Sequence, residues 1–253
     1  MAESLSFLRR GLFRQLRGAD NMPPLNALET WSRRSEPTLR QPKAKRFILT
    51  EGRNTEFWYF DSLATTLARK DLPRNLEIRP VRRTGEDENQ SNPVKLAEYA
   101  SQIIKDGVEG ELGFDGERDL IVVVFDTDIY KGDKSSYLKQ LEAFPDGVLT
   151  AVTTPSFELF LLLRHDRAFE DFINPNRSRI LVNEKVGAKR RLVDTLVVEA
   201  FGKNPKKNPS VGDLAEKFEI AEANENGLNQ DPKKAIEDLT SNVAITVRSI
   251  IDG

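Results

Sequence analysis

The chain has 253 residues, with 38 Lys and Arg against 40 Asp and Glu, 38% hydrophobic residues and 31% charged ones. It has no cysteine and a single histidine, His165. That excludes disulfide scaffolds, Cys-ligated zinc, iron–sulfur sites and thiol nucleophiles, and leaves Ser-His-Asp catalysis and His-rich metal sites almost nothing to work with. Chemistry must come from carboxylates, lysines, arginines, hydroxyls or the backbone, and a bound metal is expected to be a hard cation held by oxygen, Mg²⁺ or Mn²⁺.

The net charge of −2 hides an uneven distribution. Residues 1–46 carry ten basic and four acidic side chains, a net of +6, which leaves 28 basic against 36 acidic, a net of −8, on the remainder. A basic arm on an acidic body suits a polyanion partner, although a solvated tail has the same composition. Within the arm, Leu5, Leu8, Leu12 and Leu16 recur on one helical face, and Pro23, Pro24, Pro37 and Pro42 mark a linker. The longest apolar runs, Leu120–Phe125 and Leu159–Leu163, fall far short of the ~20 residues that cross a bilayer. A cytoplasmic protein with no membrane partner is expected.

From Arg46 the pattern alternates. Phe47–Thr50 reads as a strand. Residues 54–70 read as a helix, with Phe57, Phe60, Leu63 and Leu67 at steps of three and four. Leu76–Val81 is a second strand, residues 84–93 a polar, acidic loop, and Val94–Lys105 a helix facing inward through Leu96, Tyr99, Ala100 and Ile103. Leu120–Phe125 is a continuous apolar run, the mark of a strand buried on both faces of a parallel sheet. A helix over 134–144, a fourth strand over Val148–Val152 and a helix from Pro155 through Leu163 follow. Beyond residue 165 the strand signals fade, and helices are expected over 187–201, near 210–223 and over 232–251. The organisation expected is a basic arm and linker over 1–45, an open α/β sheet of about four parallel strands flanked by helices over 46–165, and a helical C-terminal subdomain over 166–253.

In such sheets ligands bind beyond the carboxyl ends of the strands. The first strand ends in Glu51-Gly52, where glycine permits a sharp turn and leaves room for a phosphate. The third ends in Asp126-Thr127-Asp128, and in extended chain residues i and i+2 point the same way. With strands one and three adjacent, Glu51, Asp126 and Asp128 would crowd together, and a divalent cation relieves that repulsion. Acids at strand ends also serve as plain turn residues.

The ordered set Glu51-Gly52-x-x-Thr55-Glu56-x-x-Tyr59-Phe60, Phe125-Asp126-x-Asp128 and Pro155-x-Phe157-Glu158-Leu159-x-Leu161-Leu162-Leu163 resembles the RloB-like family of the Toprim superfamily, associated with prokaryotic restriction and phage-defence loci. The resemblance runs from about Arg33 to His165. It implies a four-stranded parallel α/β domain and a metal-dependent site acting on phosphodiester bonds. It makes Asp126 and Asp128 holders of Mg²⁺ or Mn²⁺, and Glu51 a ligand or general base. The chain departs from the family pattern with Thr154 where Asn often precedes the proline, Arg164 where His often stands, and Ile129 after Asp128, where an acid or polar residue is common.

Among the remaining residues, Glu158 either interacts with its helix N-terminus or, as in two-metal relatives, helps hold a second cation. Glu56 reads equally as a cap, an ion pair or a catalytic acid. Trp58, Tyr59 and Phe60 read as core, and His165 as a helix end. Candidate phosphate contacts are Arg53 in the Glu-Gly loop, Arg82, Arg83, Lys189, Arg190 and Arg191 at an expected helix start, and Lys203, Lys206 and Lys207 in a loop punctuated by proline and glycine. The expectation is a Mg²⁺- or Mn²⁺-dependent nuclease acting on DNA or RNA, tRNA included, as a defence effector. The alternatives are a non-catalytic subunit of a defence complex, or a phosphoryl transferase which, lacking a Walker A sequence, would rely on a neighbouring-gene ATPase.

Overall fold

The structure is a computed structural model, and it describes residues 43–252 apart from 71, 72, 74, 83–91, 131 and 189. The expected arm helix, nearly all of the linker, most of the loop 84–93, Arg83 and Lys189 lie outside the described residues. In chain order the elements are β1 (Ala44–Thr50), α1 (Thr55–Lys70), β2 (Leu76–Pro80), α2 (Pro93–Asp106), β3 (Leu120–Asp126), α3 (Lys134–Glu142), β4 (Val148–Thr154) and α4 (Phe157–Leu162). They continue through α5 (Asn174–Leu181), the short strands β5 (Lys185–Gly187) and β6 (Arg190–Arg191), α6 (Leu192–Phe201), α7 (Phe218–Glu225), β7 (Thr240–Ser241) and α8 (Val243–Asp252).

Five strands form the main sheet in the order β2-β1-β3-β4-β7, with the first four parallel and β7 antiparallel. This is a Toprim-like open sheet with helices on both faces. Side chains alternate across a strand, so the apolar run of β3 feeds two separate cores. Val122 and Val124 pack with Tyr59, Phe60, Leu63 and Leu67 of α1, with α4 and with the C-terminal helices. Ile121, Val123 and Phe125 pack with Leu96, Ala100 and Ile103 of α2 and with Tyr137 of α3. Asn92 caps α2 by accepting from Lys95 N at 2.9 Å, with Pro93 at the first helical position.

The chain beyond residue 165 shares the first of these cores: Phe172, Ile180, Val193, Val197, Phe218, Val243 and Val247 all belong to it. It also closes the sheet. β7 pairs with the outer edge of β4, and Asn242 extends that closure by accepting from Val152 N at 2.6 Å and donating to Thr150 O at 2.9 Å. The helix expected over 187–201 starts only at Leu192. The preceding residues fold back as the β5–β6 pair, closed by Leu192 N donating to Glu184 O at 2.8 Å. Arg190 and Arg191 therefore sit on a hairpin and not in a helical first turn. The region near 210–223 divides into a 3₁₀ run from Pro209 to Lys217 and α7, and the region 232–251 divides into a 3₁₀ turn at Pro232–Lys234, β7 and α8. Helical periodicity in the sequence did not register these divisions, and side-chain caps at Asn208 and Asp231 start the two 3₁₀ segments.

Arg164 is 0% exposed, below the core face of α4. Its guanidinium lies 4.0 Å from the Phe160 ring centroid and 4.8 Å from that of Tyr59, and donates to the Tyr59 hydroxyl. Nε and Nη1 have no hydrogen-bond partner. Burial pushes the Tyr59 phenol up and the Arg164 guanidinium down from their ordinary ranges. A buried charge with incomplete hydrogen bonding stabilises little. Arg164→Met is expected to be neutral or to stabilise by about 1–3 kcal/mol, measured by urea unfolding. Tyr59→Phe, which removes the acceptor but keeps the charge, is expected to cost about 1–3 kcal/mol in the same assay.

Candidate functional site

The parallel register brings the ends of β1 and β3 side by side, with Thr50 opposite Val124 and Glu51 N donating to Val124 O at 2.9 Å. Glu51 then turns its carboxylate across the gap, where Oε2 accepts from Asp126 N at 3.0 Å. From the neighbouring strand Thr153 Oγ1 donates to Asp126 Oδ1 at 2.5 Å. Past Gly52 the chain enters α1, whose first turn carries the buried Glu56. A Cβ on Gly52 would lie 1.7 Å from Glu56 Oε2. Gly52 is not among the residues of positive φ, so its role is room, and the occupant of that room is the Glu56 carboxylate.

A second group of side chains meets this one. Glu158, 1% exposed, accepts from Ser156 Oγ at 2.8 Å on Oε2 and faces Lys206 Nζ at 2.5 Å on Oε1. The segment 202–209 that carries Lys206 is tied down on either side. Thr55 Oγ1 of α1 donates to Pro205 O at 2.7 Å, and Lys203 Nζ donates to Ser210 O at 2.7 Å and Asp213 Oδ2 at 2.8 Å. Asp194, in the first turn of α6 and 8% exposed, accepts from Arg191 N at 3.0 Å on Oδ2, while its buried Oδ1 has no hydrogen-bond partner.

These acids act on one another. Asp126 is held well above the usual carboxylate range, first by burial and then by Glu56, Glu51 and Glu158, against a smaller opposing effect of the Thr153 hydrogen bond. Burial and then Glu158 raise Asp194. Burial would lower Lys206, but Glu158, Glu56 and Asp126 together hold it above the ordinary lysine range. Burial and Glu51 push the Tyr130 phenol up to about 12. An all-oxygen donor set suits Mg²⁺ or Mn²⁺. The unpartnered Asp194 Oδ1 and the Lys206 ammonium, itself a cation already standing among the acids, both fit a locus for positive charge. Among the described residues no three acids are arranged to share one ion.

Of the acids expected from sequence, Glu51 and Asp126 are brought together, and Glu158 joins them through the field it exerts. β3 ends at Asp126 and the chain enters a 3₁₀ turn at Asp128–Tyr130, so the alternation of extended chain stops two residues short of Asp128 and does not by itself set its direction. Asp128 is exposed, with Oδ2 3.4 Å from Asn183 Nδ2. It lines a cleft of about 550 Å³ together with Thr127, Pro155, Lys185 and Arg191. Arg191 is fixed there by donating to Asn183 O at 3.0 Å. Arg190 and Lys207 are exposed. Arg53 lines a separate recess of about 50 Å³ with Phe57 and Arg82, whose guanidinium lies 5.1 Å from the Phe57 ring centroid. Lys206, expected to face phosphate, faces Glu158. Asp194 was missed altogether. Its only sequence signal is an acid in the first turn of a helix, and the misjudged start of that helix concealed it.

Two measurements probe this cluster. The raised folded-state pKa of Asp126 means that its contribution is present below the unfolded value of about 3.9 and is lost as pH rises through the folded value. Asp126→Asn is therefore expected to stabilise the cation-free protein increasingly as pH rises above the unfolded value of about 3.9, read from thermal melts at a series of pH values. Gly52→Ala is expected to cost only about 1 kcal/mol, because the clashing atoms end a flexible side chain, while displacing the Glu56 carboxylate. Calorimetry with Mn²⁺ should show affinity falling by more than about tenfold, equivalent to about 1.4 kcal/mol.

No curated protein and no solved structure matches the chain. The family model described as RloB-like protein matches residues 46–251, from the second half of β1 into α8. It covers the sheet, both groups of acids and the Lys206 segment together, and the chain belongs to the RloB-like family.

Proposed function

We propose that the chain is a metal-dependent nuclease, hydrolysing phosphodiester bonds of DNA or RNA with Mg²⁺ or Mn²⁺ and serving as an effector in prokaryotic anti-phage defence. The observation that carries this reading is the gathering of Glu51, Glu56, Asp126 and Glu158 at the carboxyl-terminal rim of a parallel sheet, with Asp126 raised by burial and by the other three. Carboxylates alone repel a phosphodiester, so their use against one requires a cation between them.

Glu51 and Asp126 would hold that cation, with Glu158 beside them. A divalent ion bound there supplies Lewis acidity and charge stabilisation at the scissile phosphate. Glu51, whose Oε2 sits against the backbone of Asp126, is the group suited to take a proton from an attacking water. Thr153 keeps Asp126 Oδ1 oriented. Lys185 and Arg191 in the cleft beside Asp128 suit contacts to the phosphate backbone, which makes binding salt-sensitive and largely blind to sequence.

A second reading, a non-catalytic subunit binding another defence protein such as a neighbouring-gene ATPase, is favoured by one observation: no three acids among the described residues are arranged to share an ion. A screen over plasmid, single-stranded DNA, total RNA and tRNA with Mg²⁺ and Mn²⁺ separates the two. The nuclease should degrade at least one substrate, and Asp126→Ala should lower the rate by at least about a hundredfold, roughly 2.7 kcal/mol of barrier. Cleavage undiminished in Asp126→Ala defeats the nuclease. Absence of cleavage, together with absence of metal uptake by calorimetry, favours the second reading.

A further inference from the structure

Oε2 of Glu158 accepts from the Ser156 hydroxyl, while Oε1, which makes no hydrogen bond, faces the Lys206 ammonium at 2.5 Å as an ion pair. Divalent cations of this class approach carboxylate oxygen to about 2.1 Å. An ammonium ion on the same oxygen stands in the way, and two positive charges within about 4 Å repel strongly where water is scarce. The hydroxyl can rotate aside, whereas the ammonium must leave. Asp194 Oδ1, buried and without a hydrogen-bond partner, belongs to a carboxylate that feels both Glu158 and Lys206, so the locus keeps an oxygen donor that no side chain satisfies.

From these contacts we infer that Lys206 is a tethered counter-ion occupying the cation position at Glu158, and that a divalent ion binds there only by displacing it. This rests on the reading of the acid cluster as a divalent-cation site. The tether allows the exchange. The side chain of Lys206 is 54% exposed, so its head can swing into solvent. The anchors of the segment, Thr55 on Pro205 and Lys203 on Ser210 and Asp213, do not involve it. Lys206 thus neutralises a buried carboxylate while the site waits, and loading of the metal releases one lysine at the rim.

The test uses the full chain titrated with Mn²⁺ by calorimetry, as the unaltered protein, Lys206→Met and Lys207→Met. Lys206→Met should bind at least about tenfold more tightly, having lost its competitor. Lys207→Met, the same charge change one residue along, should bind as the unaltered chain does. Amine labelling of the unaltered chain supplies a readout without mutation: the Lys206 ammonium should react faster with an amine-selective reagent, read by mass spectrometry, once Mn²⁺ is added. Affinity unchanged or weaker in Lys206→Met while the unaltered chain binds Mn²⁺ overturns the displacement and leaves the metal site standing. An equal gain in Lys207→Met also overturns it, because the effect is then one of general charge. Failure of all three proteins to take up Mn²⁺ removes both the displacement and the metal site.

Discussion

Like charges held close together away from water are the constraint from which the rest of this molecule follows. A parallel sheet lines up the carboxyl ends of its strands on one rim, and here β1 delivers Glu51, β3 delivers Asp126 and the two helix starts that follow β1 and β4 deliver Glu56 and Glu158. Glu56, Glu51 and Glu158 each raise the cost of ionising Asp126. Three remedies are open: a proton on Asp126, an ammonium ion from elsewhere in the chain, or a divalent ion. The raised Asp126 favours the first, and the Lys206 contact with Glu158 is the second. The third is what the donor chemistry suits.

That constraint accounts for the C-terminal third of the chain. Lys206 and Asp194 come from beyond the α/β unit proper, and they reach the rim because α6, α7 and α8 pack on the same sheet face as α1 and α4. Glu225, 1% exposed, locks this arrangement, accepting from Ser241 Oγ and from Ala244 N and Ile245 N at the start of α8. The family match extends through this region to residue 251, as expected if the acids and their counter-charge are one device.

Much of the fold could be read in the sequence because its signals are local. The alternating and continuous apolar runs located β1 to β4, and steps of three and four located α1 and α2 within a residue or two. What escaped depends on long-range pairing. Two residues, Thr240 and Ser241, carry no strand signal, and become β7 only because β4 presents an open edge. The β5–β6 hairpin likewise exists through pairing across a turn. At the site, Glu51 and Asp126 were legible as strand-end acids, whereas the turn that carries Asp128 out of the strand was not. Whether the chain stays extended for two more residues is decided by Thr127, whose N donates to Thr153 O and whose hydroxyl meets Thr154, and by the 3₁₀ turn that follows. The buried Arg164, in a position where the family often carries histidine, gave no sequence sign of lying inside a core.

Charge also orders the events at this rim. Outside the basic arm the chain carries a net −8, and four of its acids act together at the rim to which the proposed function would bring a phosphate. A polyanion approaching the cation-free rim meets repulsion that Lys185 and Arg191 in the adjoining cleft offset only in part. On the proposed function, cation loading would therefore come before productive engagement of a nucleic acid. On the same proposal, a lysine released from Glu158 by that loading would add to the positive side of the balance at the moment it is needed, and release of the cation would reverse both changes, so the charges that make the empty site tolerable would also make it unreceptive.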